Sequence, residues 1–120
     1  MIKGGGAAHT REKIVAAAAR EFICIVDKSK IVNKLGDFPL PVEVIPESRS
    51  LVARRILALG GIPELRVGVV TDQGNEILDV KGLDLSNPKD IELKLNSFAG
   101  VVDNGIFSFQ KPSLVLISEV

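Results

Sequence analysis

The chain has 120 residues, of which 46% are hydrophobic, and its 15 basic and 15 acidic side chains cancel. This length fits one domain, or one small domain plus part of another, and the hydrophobic fraction excludes a disordered tail. The balanced charge and an aromatic content of 4% without Trp or Tyr argue against a nucleic-acid partner, an anionic membrane and base stacking.

The opening segment combines a lysine, three glycines and the start of a helix, Lys3-Gly-Gly-Gly-Ala-Ala-His-Thr-Arg-Glu-Lys13. Glycines let backbone N–H groups turn toward a ligand, and a helix start adds further free N–H groups. Lys3 could neutralise an oxyanion, and Glu12 could move a proton. Glu12 shares a helical stripe with positions 15, 19 and 22, so we expect it on an inward-packing face. A helix-capping carboxylate is the alternative interpretation of Glu12.

An apolar run predicts a buried strand over 21–27, which contains the single cysteine, Cys24. We expect Cys24 to be a buried small hydrophobic residue, and one cysteine makes a reducing cytoplasm the simplest location. The polar turn after this strand holds Lys30, at the end of the strand where ligands of open α/β sheets bind. No signal-peptide pattern opens the chain, and no run reaches the ~18 apolar residues of a membrane span.

The segment from 39 onward has a different pattern, which begins at the boundary Pro39-Leu-Pro41. Periodicity and turn residues predict a strand, a helix, two strands joined by a tight turn, a second helix and a last strand. These elements cover, in order, 42–45, 46–59, 65–69, 77–81, 88–98 and 101–109. The order β-α-β-β-α-β is that of a ferredoxin-like split βαβ arrangement. A further strand over 113–120 is expected to pair with the strand at 22–27.

Several blocks of the sequence resemble ribose-5-phosphate isomerase of type A. They are Lys3-Gly-Gly-Gly-Ala-Ala-x-Thr-Arg-Glu-Lys13, Phe22-Ile-Cys-Ile-x-Asp27-x-Ser-Lys30, Phe38-Pro-Leu-Pro-Val-Glu-Val-Ile-Pro46 and Val69-Val-Thr-Asp-x-Gly-Asn75. The resemblance runs over nearly the whole chain and corresponds to the C-terminal portion of the family's length. It implies an α/β protein with a partial Rossmann-like domain, residues 1–38 and 111–120, and an inserted ferredoxin-like lid, residues 39–110.

The resemblance also implies an activity, the interconversion of ribose 5-phosphate and ribulose 5-phosphate in the pentose phosphate pathway, without a metal or organic cofactor. The family's catalytic base falls on Glu12, with Lys3 as its charge partner. Its sugar-binding segment falls on Lys3, Gly4, Gly5 and Gly6, and its phosphate-binding lysine falls on Lys30. The implied partners are a small sugar phosphate and further copies of the chain, in a homodimer or another homo-oligomer, and neither nucleic acid nor a membrane.

The sequence departs from the family pattern in two respects. The Gly-Thr-Gly-Ser-Thr phosphate loop and the Asp-Gly-Ala-Asp-Glu motif, both upstream in the family, do not occur in this sequence. The chain therefore looks cut at its start, and we expect little activity from it alone. We also expect either self-association through uncovered apolar faces or a partner that supplies the missing half. His9 stands at a usually apolar position, which we interpret as a packing variation.

Two alternatives remain open from the sequence. The chain could be a non-catalytic ferredoxin-like module that binds a ligand or a partner protein, in which case substitution of Lys3 or Glu12 would change nothing. It could also be another sugar-phosphate enzyme on a Rossmann-like scaffold, such as a hexosamine-phosphate deaminase, although the spacing of Lys3 and Glu12 argues against that.

Overall fold

The computed structural model describes residues 1–119. It contains three α-helices and six strands, with short 3-10 turns at Lys28–Lys30 and Pro46–Ser48. The helices are α1 (His9–Ala18), α2 (Arg49–Ala58) and α3 (Pro88–Asn96). The strands are β1 (Ile23–Asp27), β2 (Leu40–Val44), β3 (Ile62–Leu65), β4 (Glu76–Lys81), β5 (Val101–Asn104) and β6 (Leu114–Ser118).

Two separate sheets make the fold a mixed α/β one. The larger sheet has the order β3-β4-β2-β5, and every neighbouring pair in it is antiparallel. The smaller sheet pairs β1 with β6 in parallel, with Cys24 opposite Val115. The predicted return of the last strand to the strand at 22–27 is confirmed. Val120, the end of that predicted strand, lies outside the described residues.

The hydrophobic core lies between the larger sheet and helices α2 and α3. Strand β2 is buried along its whole length because β4 and β5 flank it on both sides. Helix α2 contributes two fully buried side chains, Val52 and Ile56, and α3 contributes Leu95, at the positions that the helical periodicity predicts. Gly60 and Gly100 follow the two helices with φ of +99° and +88°, the backbone conformation that a helix-ending glycine supplies.

The inward face of α1 differs from the predicted one. Its buried residues are His9, Thr10, Lys13 and Ala16, whereas Val15 is 62% exposed. The alanine-rich sequence of this helix has little apolar contrast around its circumference, so the polar partners of Lys13 and Thr10 decide which side packs. The prediction that Glu12 shares an inward-packing stripe with positions 15, 19 and 22 is therefore wrong.

Two of the predicted strands have different bounds in the structure. Strand β3 ends at Leu65, and a turn at Gly68, with φ of +76°, occupies the stretch that the alternating pattern assigned to a strand. The predicted strand 101–109 pairs with β2 only as far as Asn104. Beyond Gly105 the chain turns to meet the N-terminal segment, where Ile106 forms an isolated antiparallel bridge with Ile2.

The strand predicted over 21–27 is shorter and less covered than expected. It spans Ile23–Asp27, and its side chains alternate between buried Cys24 and exposed Ile25, which is 74% exposed. The prediction for Cys24 is confirmed, since its thiol is buried. The prediction of a strand buried on both faces is wrong for residues 23–27. The smaller sheet has only two strands among the described residues, and the side chains on its outer face are exposed to solvent.

None of the helices in residues 1–119 combines the length and the apolar character that crossing a membrane requires.

Candidate functional site

The candidate site is centred on an ion pair between the opening loop and the first turn of α1. The Nζ atom of Lys3 lies 2.8 Å from Oε2 of Glu12. The two side chains are 27% and 38% exposed, so the pair faces solvent and is accessible to a small molecule. The structure thus brings together the cation and the carboxylate that the sequence predicts to act on one substrate.

The three glycines form a tight loop between Lys3 and α1. Gly4 has φ of +107°, and Ala7 has φ of +63°, which is uncommon for a residue with a side chain. The N–H of Ala7 donates to the carbonyl oxygen of Gly4 at 3.0 Å, and the N–H of Lys3 donates to Gly105 at 2.8 Å. Gly4 is buried, whereas Gly5 and Gly6 are exposed and can meet a ligand.

Arg66, just after β3, attaches this loop to the larger sheet. Its Nη1 donates to the carbonyl oxygens of Gly4 and Gly5, at 3.2 and 3.1 Å. Its Nε and Nη2 donate to the two carboxylate oxygens of Asp79 on β4, at 2.8 and 2.6 Å. The hydrogen bonds to Asp79 raise the pKa of Arg66, so this cation is permanent at physiological pH.

Glu43 connects the first turn of α1 to the larger sheet through hydrogen bonds. This carboxylate in β2 has no exposed surface and accepts hydrogen bonds from three side chains. Thr10 Oγ1 donates at 2.6 Å, Thr71 Oγ1 at 2.9 Å and Asn75 Nδ2 at 2.9 Å. Since Thr10 precedes Glu12 by two residues, Glu43 links the turn at 72–75 to the helix end that carries Glu12.

Lys13 fixes the same helix to α3 and β5. Its Nζ lies 2.8 Å from Asp103 Oδ1, 3.1 Å from Glu92 Oε2 and 2.7 Å from the carbonyl oxygen of Asn104. The ammonium group also lies 5.0 Å from the centre of the Phe107 ring. This buried cluster determines which face of α1 packs against the rest of the chain, and it therefore leaves Glu12 on a solvent-accessible face of the helix.

His9 is fully buried at the start of α1. Its Nε2 lies 3.2 Å from the carbonyl oxygen of Asp103, and within residues 1–119 its Nδ1 has no hydrogen-bond partner. A neutral ring that donates from Nε2 fits this environment, because protonated Nδ1 would be a buried, unpaired donor. Burial lowers the pKa of His9 below its ordinary value.

Lys30, the third predicted part of the site, is not bonded within residues 1–119 to the groups described above. It is exposed in the 3-10 turn Lys28–Lys30. Asp27 precedes this turn as its N-cap, and its Oδ1 accepts a hydrogen bond from the N–H of Ser29 at 2.9 Å. In the part of the chain that the structure describes, no hydrogen bond or ion pair joins Lys30 to Lys3, Glu12 or the glycines. The turn does follow the carboxyl end of β1, as predicted.

Three of the supporting residues, Glu43, Arg66 and Lys13, were missed in the sequence analysis. Glu43 carries a signal that could have found it, since a carboxylate between Val42 and Val44 in a buried strand requires hydrogen-bond donors. Arg66 carries no such signal, because its partners come from two distant segments. Within residues 1–119, no group of three His, Cys, Asp or Glu side chains is arranged to hold a metal ion.

Comparisons with known proteins agree on one family. The family model described as ribose 5-phosphate isomerase A (phosphoriboisomerase A) matches residues 1–119. The ribose-5-phosphate isomerase A of Haemophilus influenzae (strain 86-028NP) is 62% identical to this chain over 118 residues, which is 98% of this chain and 54% of that relative.

Solved structures show the same fold. The crystal structure of ribose 5-phosphate isomerase A from Neisseria gonorrhoeae is 51% identical with a TM-score of 0.96, over 98% of this chain and 52% of that one. A D-ribose-5-phosphate isomerase in complex with phospho-erythronic acid is 38% identical with a TM-score of 0.91, over 98% of this chain and 55% of that one. The chain therefore spans about half the length of the relatives it matches. That this half is the C-terminal one stays a prediction.

Proposed function

Because this chain belongs to the ribose 5-phosphate isomerase A family, we propose that it carries the proton-transfer half of an aldose–ketose isomerase site. The reaction is the interconversion of ribose 5-phosphate and ribulose 5-phosphate, with Glu12 as the general base. The observation that supports this most directly is the 2.8 Å contact between Lys3 Nζ and Glu12 Oε2 on an accessible surface. The family resemblance inferred from the sequence is confirmed by the match over residues 1–119.

The proposed chemistry uses one carboxylate for two proton transfers. Glu12 removes the proton from C2 of the open-chain aldose, and the electron pair of that C–H bond forms a C1–C2 double bond. At the same time the π bond of the C1 carbonyl breaks and its electron pair moves onto O1, which gives an enediolate. Glu12 then returns the proton to C1, while a proton passes from O2 to O1, which leaves the carbonyl at C2. A carboxylate within hydrogen-bonding reach of both carbons can perform both steps.

Lys3 has the complementary role of balancing charge. Negative charge develops on the substrate oxygens as the enediolate forms, and a fixed cation beside the base stabilises that charge. In the resting site the ammonium group of Lys3 is paired with Glu12. Substrate binding would place a sugar oxygen against the same ammonium group, which leaves the carboxylate available for the carbon-bound proton.

Substrate binding is proposed for Gly4, Gly5, Gly6 and Lys30 as well as Lys3. The exposure of Gly5 and Gly6 supports contacts of their backbone with the sugar. The position of Lys30 after the carboxyl end of β1 supports a phosphate contact, because ligands of α/β sheets bind beyond that edge. Phosphate held away from the reacting carbons would fix the sugar over Glu12.

The domain assignment is also a proposal. Residues 39–110 are proposed to form a ferredoxin-like lid, and this is supported by the β-α-β-β-α-β order from β2 to β5 and the antiparallel sheet order β3-β4-β2-β5. Residues 1–38 and 111–120 are proposed to belong to a Rossmann-like domain, which the parallel pairing of β1 with β6 supports.

Assembly and location complete the proposal. The exposed apolar side chains of α1, β1 and β6 support self-association, or association with a chain that covers them. We propose a homo-oligomer in the cytoplasm; the single cysteine supports a reducing compartment.

The test compares this chain alone with a chimera in which it is joined to the part of the Haemophilus influenzae relative that it does not match. We expect ribulose 5-phosphate formation by the chimera and little or none by the chain alone, because the chain spans 54% of that relative's length. Glu12→Gln in the chimera should lower kcat by orders of magnitude while phospho-erythronic acid still binds.

Glu47→Gln is the matched control, since Glu47 is an exposed carboxylate in the turn before α2. It should leave kcat unchanged. An inactive chimera, or one in which Glu12→Gln turns over normally, would contradict the proposal and favour a non-catalytic binding module.

A further inference from the structure

Arg66 connects the larger sheet to the glycine loop at residues 4–6. One edge of its guanidinium group binds the carboxylate of Asp79 through Nε and Nη2. The remaining terminal nitrogen, Nη1, binds two successive carbonyl oxygens, those of Gly4 and Gly5. The side chain is 19% exposed, so the connection is mostly shielded from solvent.

We propose that Arg66 is a positioning residue, which turns the peptide groups 4–5 and 5–6 so that their N–H groups face away from the sheet as a donor pair for a substrate oxyanion. This inference rests on the proposed function and adds a residue to it. Arg66 itself does not touch the substrate in this proposal; it acts through the backbone of Gly5 and Gly6.

The geometry of the peptide bond carries the argument. In a planar trans peptide the C=O and the N–H point in opposite directions. The carbonyl of Gly4 shares its peptide plane with the N–H of Gly5, and the carbonyl of Gly5 shares its plane with the N–H of Gly6. Because Arg66 binds both carbonyls on one side, both N–H groups leave the loop on the other side.

Those two N–H groups are available for a ligand. Within residues 1–119, neither Gly5 nor Gly6 donates a backbone hydrogen bond, although the neighbouring Lys3 and Ala7 both do. Both glycines are exposed, and a Cβ atom at Gly6 would meet nothing within 4 Å. Two adjacent, free N–H groups beside Lys3 form a concave anion-binding arrangement of the kind that successive backbone amides make.

The loop needs an external support to keep this orientation. Its conformation includes φ of +107° at Gly4 and of +63° at Ala7, of which the second is costly for a residue with a side chain. Three glycines in sequence also leave the backbone free to adopt other conformations. A guanidinium group on two carbonyls opposes both tendencies, and its charge polarises the peptide groups so that their N–H groups become stronger donors.

Arginine fits this position for a geometric reason. The planar guanidinium group presents donors on separate edges, so it can bind Asp79 in a bidentate manner and still reach the loop. A lysine side chain has a single nitrogen, so it cannot bind Asp79 in a bidentate manner and also donate to the carbonyl oxygens of the loop. Asp79 also balances the charge of Arg66, which leaves Lys3 as the cation beside the proposed base.

The test uses Arg66→Met and Arg66→Lys, with Arg49→Met as the matched control. Arg49 is in α2 and forms a comparable ion pair with the same sheet, with Nη1 2.9 Å from Glu76 Oε2. Within residues 1–119 it forms no hydrogen bond or ion pair with the glycine loop. The first measurement is the amide spectrum of the full chain labelled with ¹⁵N-glycine. The second is the kinetics of the active chimera with ribose 5-phosphate.

We expect the amide signals of Gly5 and Gly6 to shift or broaden in Arg66→Met and to stay unchanged in Arg49→Met. In the chimera, Arg66→Met should lower kcat/KM by about 10- to 100-fold, the effect of misplacing substrate-holding groups by roughly 1 Å. Arg66→Lys should recover only part of that loss.

Unchanged Gly5 and Gly6 signals in Arg66→Met would overturn the proposal, and so would equal losses of kcat/KM in Arg66→Met and Arg49→Met. The amide spectrum does not depend on turnover. An inactive wild-type chimera would therefore refute the proposed function, while the spectrum still decides the role of Arg66.

Discussion

Thr10 Oγ1 donates a 2.6 Å hydrogen bond to Oε1 of Glu43, a carboxylate without exposed surface in the central strand of the larger sheet. This contact crosses 33 residues of sequence and joins the helix that carries Glu12 to the sheet. The same carboxylate binds Thr71 and Asn75 through its other oxygen. The position of the proposed base therefore depends on a buried group that makes no contact with the substrate surface.

Replacement of Glu43 by alanine should destabilise the chain strongly, whereas glutamine should be tolerated. Alanine leaves the side chains of Thr10, Thr71 and Asn75 without their acceptor, and we expect a loss of about 2–5 kcal/mol in the free energy of unfolding. Glutamine keeps one oxygen for Thr71 and Asn75, and its NH₂ group can donate to the hydroxyl of Thr10, so the loss should stay near 1 kcal/mol.

Urea denaturation of the two variants measures this difference. Glu64→Ala, which removes an exposed carboxylate from β3, is the control and should change the free energy of unfolding by less than about 0.5 kcal/mol. Equal stability of Glu43→Ala and Glu43→Gln would contradict a role for the hydrogen bonds.

The Lys13 cluster gives a second prediction, for Lys13→Met. Methionine has a similar length but leaves Glu92 and Asp103 without the cation that lies 3.1 and 2.8 Å from them. Breaking a buried ion pair from one side costs about 3–5 kcal/mol, because the remaining charge is buried and unpaired. We expect a loss of that size in the free energy of unfolding.

A triple variant, Lys13→Met with Glu92→Gln and Asp103→Asn, separates charge from packing. It removes the unpaired carboxylates and should regain part of the lost stability. Arg49→Met, which breaks a more exposed pair, should cost less than about 1 kcal/mol. If the triple variant is no more stable than Lys13→Met, the cluster stabilises the fold by packing alone.

The sequence predicted elements well where periodicity and turn residues determine the local structure. The apolar positions of α2 and α3 and the tight turn at 72–75 follow from such local signals. The pairing of the last strand with β1 was predicted because that strand had no place in the antiparallel sheet. The alternation of Leu65, Val67 and Val69 was misleading, because the turn at Gly68 interrupts the strand. The proximity of Lys3 to Glu12 followed from their spacing in the first block.

Contacts between individual side chains of distant segments could not be predicted from one sequence. The face of α1 depends on Lys13, whose partners are 79 and 90 residues away. The support of the glycine loop depends on Arg66, which is 62 residues from Gly4. Neither pairing leaves a periodic pattern, and a lysine near a helix start is ordinarily exposed.

The three glycines of the loop differ in what they tolerate, and the pair Gly4→Ala and Gly6→Ala tests this. Gly4 has φ of +107°, and a Cβ atom there would lie 2.5 Å from Pro41 Cγ and 2.8 Å from His9 Nδ1. Backbone strain and steric overlap together should cost about 2–4 kcal/mol. Gly6 has open space around it, so Gly6→Ala should change stability by less than about 0.5 kcal/mol.

Thermal unfolding of both variants, monitored by circular dichroism, compares the two positions directly. Gly6→Ala retains the backbone N–H and serves as the control for Gly4→Ala. Equal unfolding temperatures would show that the loop adapts freely and that its conformation in the structure is not required.

His9 predicts a dependence of stability on pH. Its ring is fully buried, Glu43, Asp103 and Lys13 are the charged groups that act on it, and burial lowers its pKa below the ordinary value of 6.5. The unfolded chain therefore binds a proton at this residue more readily than the folded one. The contribution of neutral His9 is complete above about pH 6.5 and is lost as the pH falls from there toward the lowered pKa.

His9→Leu isolates this contribution, because leucine fills a similar space and does not titrate. Between pH 7.5 and pH 5, the wild-type chain should lose more of its free energy of unfolding than the variant does, because the unfolded chain takes up a proton at His9 at a higher pH than the folded chain. The protonation of carboxylates in the acid range affects both proteins and cancels in the comparison. Urea denaturation at the two pH values measures the difference. Parallel losses in the two proteins would show that His9 keeps its ordinary pKa, and would contradict a buried neutral ring with an unpaired Nδ1.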